Sequence, residues 1–261
     1  MGSLILVGLG LNLNDIPMGA IEAVSKCREV FVETYTSPTP SHRIEAMERI
    51  FRRRLRLLDR SQVEDGRAIL EELPRGDVAL LVPGDPLIST THVSLRMEAA
   101  RRGFCTKVVH ASSILSAAIG ESCLQSTRFG RVGTISFLPS VQPYDVLEQN
   151  LARGLHTLFL LDVDDQAGRA MTIAEAVRLL LQAEELQGRG VVSDQMLGIG
   201  LARLSLEDQV VRAGTLGRLL RVEFPPPPHC LVIPGKLHFA EREALEVLLG
   251  WKGQDEARKD I

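Results

Sequence analysis

Four short strand-like runs, separated by stretches of helical period, constrain the first 110 residues most. Leu4-Ile5-Leu6-Val7 stops at Gly8-Leu9-Gly10, and Asp77-Val78-Ala79-Leu80-Leu81-Val82 stops at Pro83-Gly84-Asp85-Pro86. Glu29-Val30-Phe31-Val32-Glu33 alternates as a strand does, and Cys105-Thr106-Lys107-Val108-Val109 completes the set. Uninterrupted apolar runs of this length between turn signals read as buried strands. The spacing of apolar residues predicts helices over 15–26, 42–58, 61–73 and 89–102. Asp15 is the expected cap of the first, with Pro17 in its first turn, and Ser61 the expected cap of the third, with Glu64 at the capping-box position. Strand and helix alternating in this way imply a parallel sheet covered by helices on both faces.

The pattern changes near residue 110. Strands are expected at 131–135, 157–161, 195–203, 209–213 and 230–233, and helices at 143–153 and 171–187. Strands that follow one another without an intervening helix point to a mixed sheet. The reading is therefore α/β with two domains: an N-terminal parallel-sheet domain over 1–110 and a C-terminal mixed α+β domain over 111–261. A loop is expected at Ser37–Ser41, and residues 251–261 read as a charged, fraying tail.

Composition excludes several classes. With 30 Lys+Arg against 33 Asp+Glu, the chain is not the basic molecule that general nucleic-acid binding requires. No apolar run reaches the ~18–20 residues of a membrane span, and the N-terminus lacks the basic region and cleavage site of a signal peptide. Cys27, Cys105, Cys123 and Cys230 form no CxxC pair and have no histidine cluster at zinc spacing. They read as reduced, mostly buried thiols of a cytoplasmic protein, and no metal site is expected.

Gly8-Leu9-Gly10 is half of a dinucleotide fingerprint, but Leu13 stands where the third glycine is needed, which weighs against a nicotinamide-binding oxidoreductase. The glycines equally suit a tight turn or a ligand lying directly on main chain. Pro83-Gly84-Asp85-Pro86 closes a strand at its carboxyl end, where open α/β sheets bind ligands. Asp85 there is either a hydrogen-bond acceptor at the mouth or an Asx cap of its own turn. Ser112 or Ser113 reads as a helix cap facing the same crevice. Arg52, Arg53, Arg54 and Arg56 read as a basic helix face, either simply solvated or a docking patch. His229, between four prolines and a strand, reads as a partly buried histidine bonded to backbone. Nothing matches GxSxG, HExxH or a phosphate-binding P-loop.

Taken in order, Leu6-Val7-Gly8-Leu9-Gly10-Leu11, Pro83-Gly84-Asp85-Pro86 with Thr90-Thr91-His92, His110-Ala111-Ser112-Ser113-Ile114, Leu160-Leu161-Asp162, Gly200-Leu201-Ala202-Arg203 and His229–Gly235 resemble the diphthine synthase family, part of a wider tetrapyrrole-methylase-like group. The resemblance runs from residue 4 to about 240. It implies a cytoplasmic homodimer of two-domain subunits, with S-adenosylmethionine held folded in the cleft between the domains and S-adenosylhomocysteine as product. The implied substrate is translation elongation factor 2, methylated on the amine of its aminocarboxypropyl-histidine, with no nucleic-acid or membrane partner. Carried over by position, the donor contacts would be Leu11, Asp85, Ile88, Ser113, Ile114, Leu161, Leu204 and His229, several of them through backbone. No catalytic base is assigned. Tyr35 or Phe137 would offer an aromatic face to the trimethylammonium product. The chain departs from the family pattern at Ser205, where glycine is common, and at Pro17. The alternatives are a tetrapyrrole methylase of the same fold, the nicotinamide enzyme and a non-catalytic sensor of the donor.

Overall fold

In the computed structural model, which describes residues 2–35, 41–164 and 167–253, the chain divides into two units, Met1–Ile114 and Leu115–Ile261. The first unit runs β1 (Ser3–Gly8), α1 (Met18–Ser25), β2 (Glu29–Glu33), α2 (Ser41–Phe51), β3 (Arg56–Leu58), α3 (Arg60–Asp65), α4 (Arg67–Leu70), β4 (Val78–Val82), α5 (Val93–Arg101) and β5 (Cys105–Val109). Its five strands form one sheet in the order β3-β2-β4-β1-β5, and every pair is parallel. Side chains alternate across each strand. Leu4 and Leu6 therefore join Val63, Leu70 and Leu95 on the face covered by α3, α4 and α5. Ile5 and Val7 join Ala20, Val24 and Met47 on the face covered by α1 and α2.

Several boundaries differ from the sequence expectation. The helix expected over 42–58 ends at Phe51, because Arg52 takes a left-handed φ of 52° and the chain turns into β3. Arg53 then donates to the carbonyls of Cys27 and Arg28 at 2.6 and 2.7 Å, just past the end of α1. Arg56 lies on β3, 3.8 Å from Glu29 and Glu72 and over the Phe31 ring. The arginines thus do not form one helix face. The helix expected over 61–73 is two short helices broken at Gly66, φ 68°, and its cap is Asp59 with Gln62, not Ser61 with Glu64. The first helix starts only at Met18: Pro17 precedes it, and Asp15 closes a 3-10 turn capped by Asn12. The loop expected at 37–41 falls, up to residue 40, outside the described residues, as does 254–261 of the expected tail.

The second unit takes up α6 (Ile114–Glu121) and continues β6 (Gly133–Ile135), α7 (Gln142–Leu151), β7 (Thr157–Leu161), β8 (Val163–Asp164), β9 (Arg169–Ala170), α8 (Ile173–Gln187), β10 (Leu197–Ala202), β11 (Val210–Thr215), α9 (Leu216–Leu219), β12 (His229–Ile233) and α10 (Phe239–Leu249). Its main sheet runs β11-β10-β12-β7-β6. Only β6 and β7 are parallel, and β8 and β9 form a separate hairpin. One face packs Phe159, Leu231 and Ile233 against Tyr144, Leu147, Val177 and Leu180 of α7 and α8. α8 is delimited as its sequence directs, by a Thr172–Glu175 capping box and Gly188 in the left-handed region.

All four cysteines are free thiols. Cys27 and Cys230 are buried, and burial pushes their thiols up to about 11 and about 12. Cys105 is exposed, on the edge strand β5, against the expectation of general burial. Among the described residues no helix is long and apolar enough to cross a membrane.

Candidate functional site

β1 and β4 are neighbours in the centre of the first sheet, yet the chain leaves β1 towards β2 and leaves β4 towards β5, in opposite directions. Their carboxyl ends therefore flank the switch point where open α/β sheets bind ligands. The two suspect motifs meet there. Leu9 N donates to Val82 O, and Gly10 and Gly84 exchange main-chain hydrogen bonds of 3.2 and 2.8 Å. Gly10 and Gly84 take φ 68° and 75°, conformations in which a side chain is strained. A Cβ on Gly84 would find nothing nearer than 4.0 Å, so the turn there is bare main chain with open space beside it. No helix N-terminus follows the glycines directly, because the 3-10 turn Leu13–Asp15 intervenes; this removes the anion-binding geometry of a dinucleotide fingerprint.

Asp85 is buried, and its carboxylate is spent locally. Oδ1 accepts from Leu87 N at 3.0 Å; Oδ2 accepts from Ala111 N at 3.3 Å and faces His110 Nδ1 at 2.8 Å. The Oδ1 bond is the Asx cap the sequence offered; Oδ2 in addition ties the turn after β4 to the turn after β5, so the side chain does not project at the mouth. Leu11 lies beyond the glycine turn, its N–H held by Asp15. Ile88, which follows the Asp85 turn, is exposed. Ser113 directly precedes α6, whose first residue is Ile114.

The strand registers bring together the candidates of the second unit. Ile135 pairs with Leu161, Leu161 stands beside His229, and His229 pairs with Ala202, so one row crosses β6, β7, β12 and β10 at a single edge of the sheet. Leu204 lies two residues beyond Ala202 and is buried. His229 Nε2–H donates to Pro225 O at 2.7 Å and its Nδ1 accepts from Ile173 N at 3.2 Å, so both ring nitrogens are engaged with main chain. Burial pushes its pKa down. His156 is arranged alike: Nδ1 accepts from Gly235 N, Nε2 faces Glu241, and burial again lowers its pKa. Both rings are neutral in the fold, whereas in the unfolded chain they protonate near about 6.5. The unfolded state therefore binds more protons below that pH, and stability falls as the pH drops. Melting temperature is expected to decline below about pH 6.5, and His229→Asn to flatten that decline. A melting temperature unchanged from pH 7.5 to 5 would contradict it.

Ser205 sits in a left-handed turn. Arg203 and Ser205 flank Leu204 with φ 55° and 66°, both left-handed. A non-glycine residue there costs roughly 1–2 kcal/mol, partly offset by the smaller entropy of its unfolded chain. Ser205→Gly is expected to stabilise the protein by up to about 1 kcal/mol, read as a shift in denaturant midpoint at unchanged slope. Destabilisation would show that the Ser205 side chain matters more than its backbone.

Sequence reasoning missed one constellation. Glu33, at the carboxyl end of β2, is 0% exposed and His92 1%. Glu33 Oε2 lies 2.8 Å from His92 Nε2, with Tyr35 Oη 3.4 Å from the same nitrogen. His92 Nδ1 is 3.0 Å from Pro86 O and 2.8 Å from Thr90 Oγ1. A carbonyl only accepts, so Nδ1 carries a proton, while Nε2 and Glu33 Oε2 form a close contact between two buried groups. Burial, with the nearby Glu33 charge, pushes the Tyr35 phenol up. The available signal was Glu33 closing an alternating strand and His92 behind the proline turn; their meeting is tertiary. Phe137, the other aromatic candidate, already carries a cation: the Arg169 guanidinium carbon lies 3.6 Å from its ring centre.

A parallel sheet with glycine turns at its switch point, joined to a mixed-sheet unit, defines a class: residues 3–220 match the family model for tetrapyrrole (corrin/porphyrin) methylases. A protein of Methanothermobacter thermautotrophicus named diphthine synthase is 40% identical over 252 residues, covering 95% of this chain and 96% of that one. Another so named, from Methanosarcina mazei, is 39% identical over 99% of both chains. A crystal structure of diphthine synthase matches with a TM-score of 0.87 at 35% identity, over 95% of this chain and 96% of that chain. The chain belongs to the diphthine synthase family of the tetrapyrrole methylases.

Proposed function

We propose that the chain has diphthine synthase activity: it methylates the amine of aminocarboxypropyl-histidine in translation elongation factor 2, drawing methyl groups from S-adenosylmethionine. The observation that carries this is the 40% identity, over 95% of the chain, to a relative named diphthine synthase. A tetrapyrrole substrate is not favoured by any particular observation. The assembly expected is a homodimer and the location the cytoplasm; a monomer in sedimentation would contradict the first.

The bare main chain at Gly84, with open space where a side chain would stand, fits a donor that rests on backbone, whereas the same side of Gly10 is filled by Asp15. In this reading Leu11, Asp85, Ile88, Ser113, Ile114, Leu161, Leu204 and His229 are the donor contacts. Asp85 and His229 act by fixing their loops, since their polar atoms are already engaged. S-adenosylmethionine, when bound, supplies a methyl group on a sulfonium that leaves as a thioether. The chain therefore has to position and to exclude water, and needs no strong nucleophile of its own. An amine of this kind has a pKa of about 8 in model compounds, so a neutral fraction exists at pH 7 and its proton leaves to solvent.

The test is intact mass spectrometry of elongation factor 2 carrying the aminocarboxypropyl-histidine, incubated with the protein and S-adenosylmethionine. A gain in steps of one methyl, confined to the modified-histidine peptide, is expected. Donor binding without any gain would reject this substrate, and absence of donor binding would reject the methyl-transfer reading altogether.

A further inference from the structure

The edge formed by Ile135, Leu161, His229 and Ala202 carries two guanidinium groups in its loops, and they differ. Arg203 is neutralised by Asp208 at 2.6 Å and reaches Pro227 O. Arg169, in the hairpin that follows Leu161, is exposed; its main chain pairs with Asp164, and among the described residues its guanidinium shows no hydrogen bond or ion pair and lies over the Phe137 ring, 3.6 Å away.

That ring is held firmly. Asp162, next to Leu161, accepts from Phe137 N and Ser136 Oγ through one oxygen and from Val163 N through the other. Its carbonyl also accepts from Met171 N, just beyond Arg169. The same residue thus fixes the loop that presents Phe137 and the hairpin that presents Arg169. Of the described acidic groups near Arg169, its cross-strand partner Asp164 accepts from Ala167 N, and Glu175, whose carboxyl is held low by the Thr172 main chain with a smaller contribution from the Arg169 charge, accepts from Thr172 N and Oγ1. A guanidinium stacked on an aromatic face keeps its edge N–H donors free in a planar fork, the shape that binds a carboxylate in bidentate fashion.

We propose that Arg169, stacked on Phe137, binds the carboxylate of an α-amino-acid head group during the reaction. This rests on the function proposed above. Two reactants have such a head: the aminocarboxypropyl group of the acceptor and the methionine portion of the donor. Arg169 is then a binding and orienting residue, setting which amino acid is accepted.

The experiment uses Arg169→Ala, Arg169→Lys and Phe137→Leu in the full chain, with matched melting curves as the folding control. Affinity for S-adenosylhomocysteine is measured by calorimetry, and KM for the modified elongation factor 2 by methyl transfer. The expected result for Arg169→Ala is an acceptor KM raised about tenfold or more, with unchanged S-adenosylhomocysteine affinity and partial recovery in Arg169→Lys. Phe137→Leu should move KM in the same direction by less. Weakened S-adenosylhomocysteine affinity with an unchanged acceptor KM would assign the carboxylate to the donor. Unchanged values of both overturn the proposal. Should the wild type bind S-adenosylhomocysteine yet transfer nothing, the substrate reading fails by itself. The calorimetric comparison then decides Arg169: a loss of affinity keeps the carboxylate site, on the donor, and no loss overturns it.

Discussion

Glu33→Ala is expected to destabilise the first unit by about 3–5 kcal/mol, the usual cost of removing one partner of a fully buried pair. The reason lies in hydrogen-bond accounting. His92 holds Pro86 O and Thr90 through Nδ1, and only Glu33 and Tyr35 face its Nε2. Without the carboxylate Nε2 keeps at most the 3.4 Å contact to Tyr35, beside a void the size of the lost side chain. Glu33→Gln separates hydrogen bonding from charge. A glutamine amide donates to a neutral Nε2, so a loss of no more than about 1.5 kcal/mol is expected if the bond alone matters. An equal loss in both variants would show that the pair works as carboxylate and imidazolium. Denaturant unfolding followed by circular dichroism reads both variants, and an alanine variant as stable as wild type would refute the argument.

Gly8→Ala is expected to lower kcat/KM for methyl transfer by about a hundredfold, the scale on which a displacement of roughly 1 Å in a positioned site is felt. A Cβ at residue 8 would stand 2.7 Å from the Ala111 Cβ, 2.8 Å from Gly84 O and 3.0 Å from the Pro86 ring. These belong to the segments that leave β4 and β5, so the methyl group would push the three strand-end loops apart together. A stability loss of about 1–3 kcal/mol should accompany it. Gly19→Ala is the control. Its added Cβ meets only Val109, at 3.8 Å, inside the helix Met18–Ser25, where alanine is favoured over glycine by about 1 kcal/mol. It should leave transfer intact and raise stability slightly. Full activity in Gly8→Ala would detach the glycine crevice from the reaction.

Much of the first sheet was legible because its strands are runs such as Val78–Val82, stopped by glycine or proline, and local chemistry suffices to mark them. β3 was not, since apolar spacing continues in helical period from Ile44 to Leu58. What ends that helix is the left-handed Arg52 and the seating of Arg53 on the carbonyls past α1, both set by the tertiary fold. The third helix read as capped by Ser61 with Glu64, and the chain instead uses Asp59–Gln62, two residues earlier. At the candidate site, the reading of His229 as a histidine bonded to backbone holds, and of the two readings open for Asp85 the hydrogen bonds select the Asx cap; the second tie of Asp85, to the turn after β5, is tertiary and was not legible. Glu33 read as the charged end of an alternating strand, because burial of a carboxylate depends on a partner 59 positions away, His92.

A donor resting on peptide rather than on side chains, as proposed at the Gly84 turn, alters how the site responds to change. A conventional alanine scan would pass over such contacts almost in silence, since trimming a side chain leaves the carbonyls and amides in place. The informative replacements run the other way, adding bulk where there is none. The same logic applies to inhibitors. A compound that competes for main-chain groups leaves the protein few point mutations by which to escape, because any that block the compound also crowd out the natural ligand.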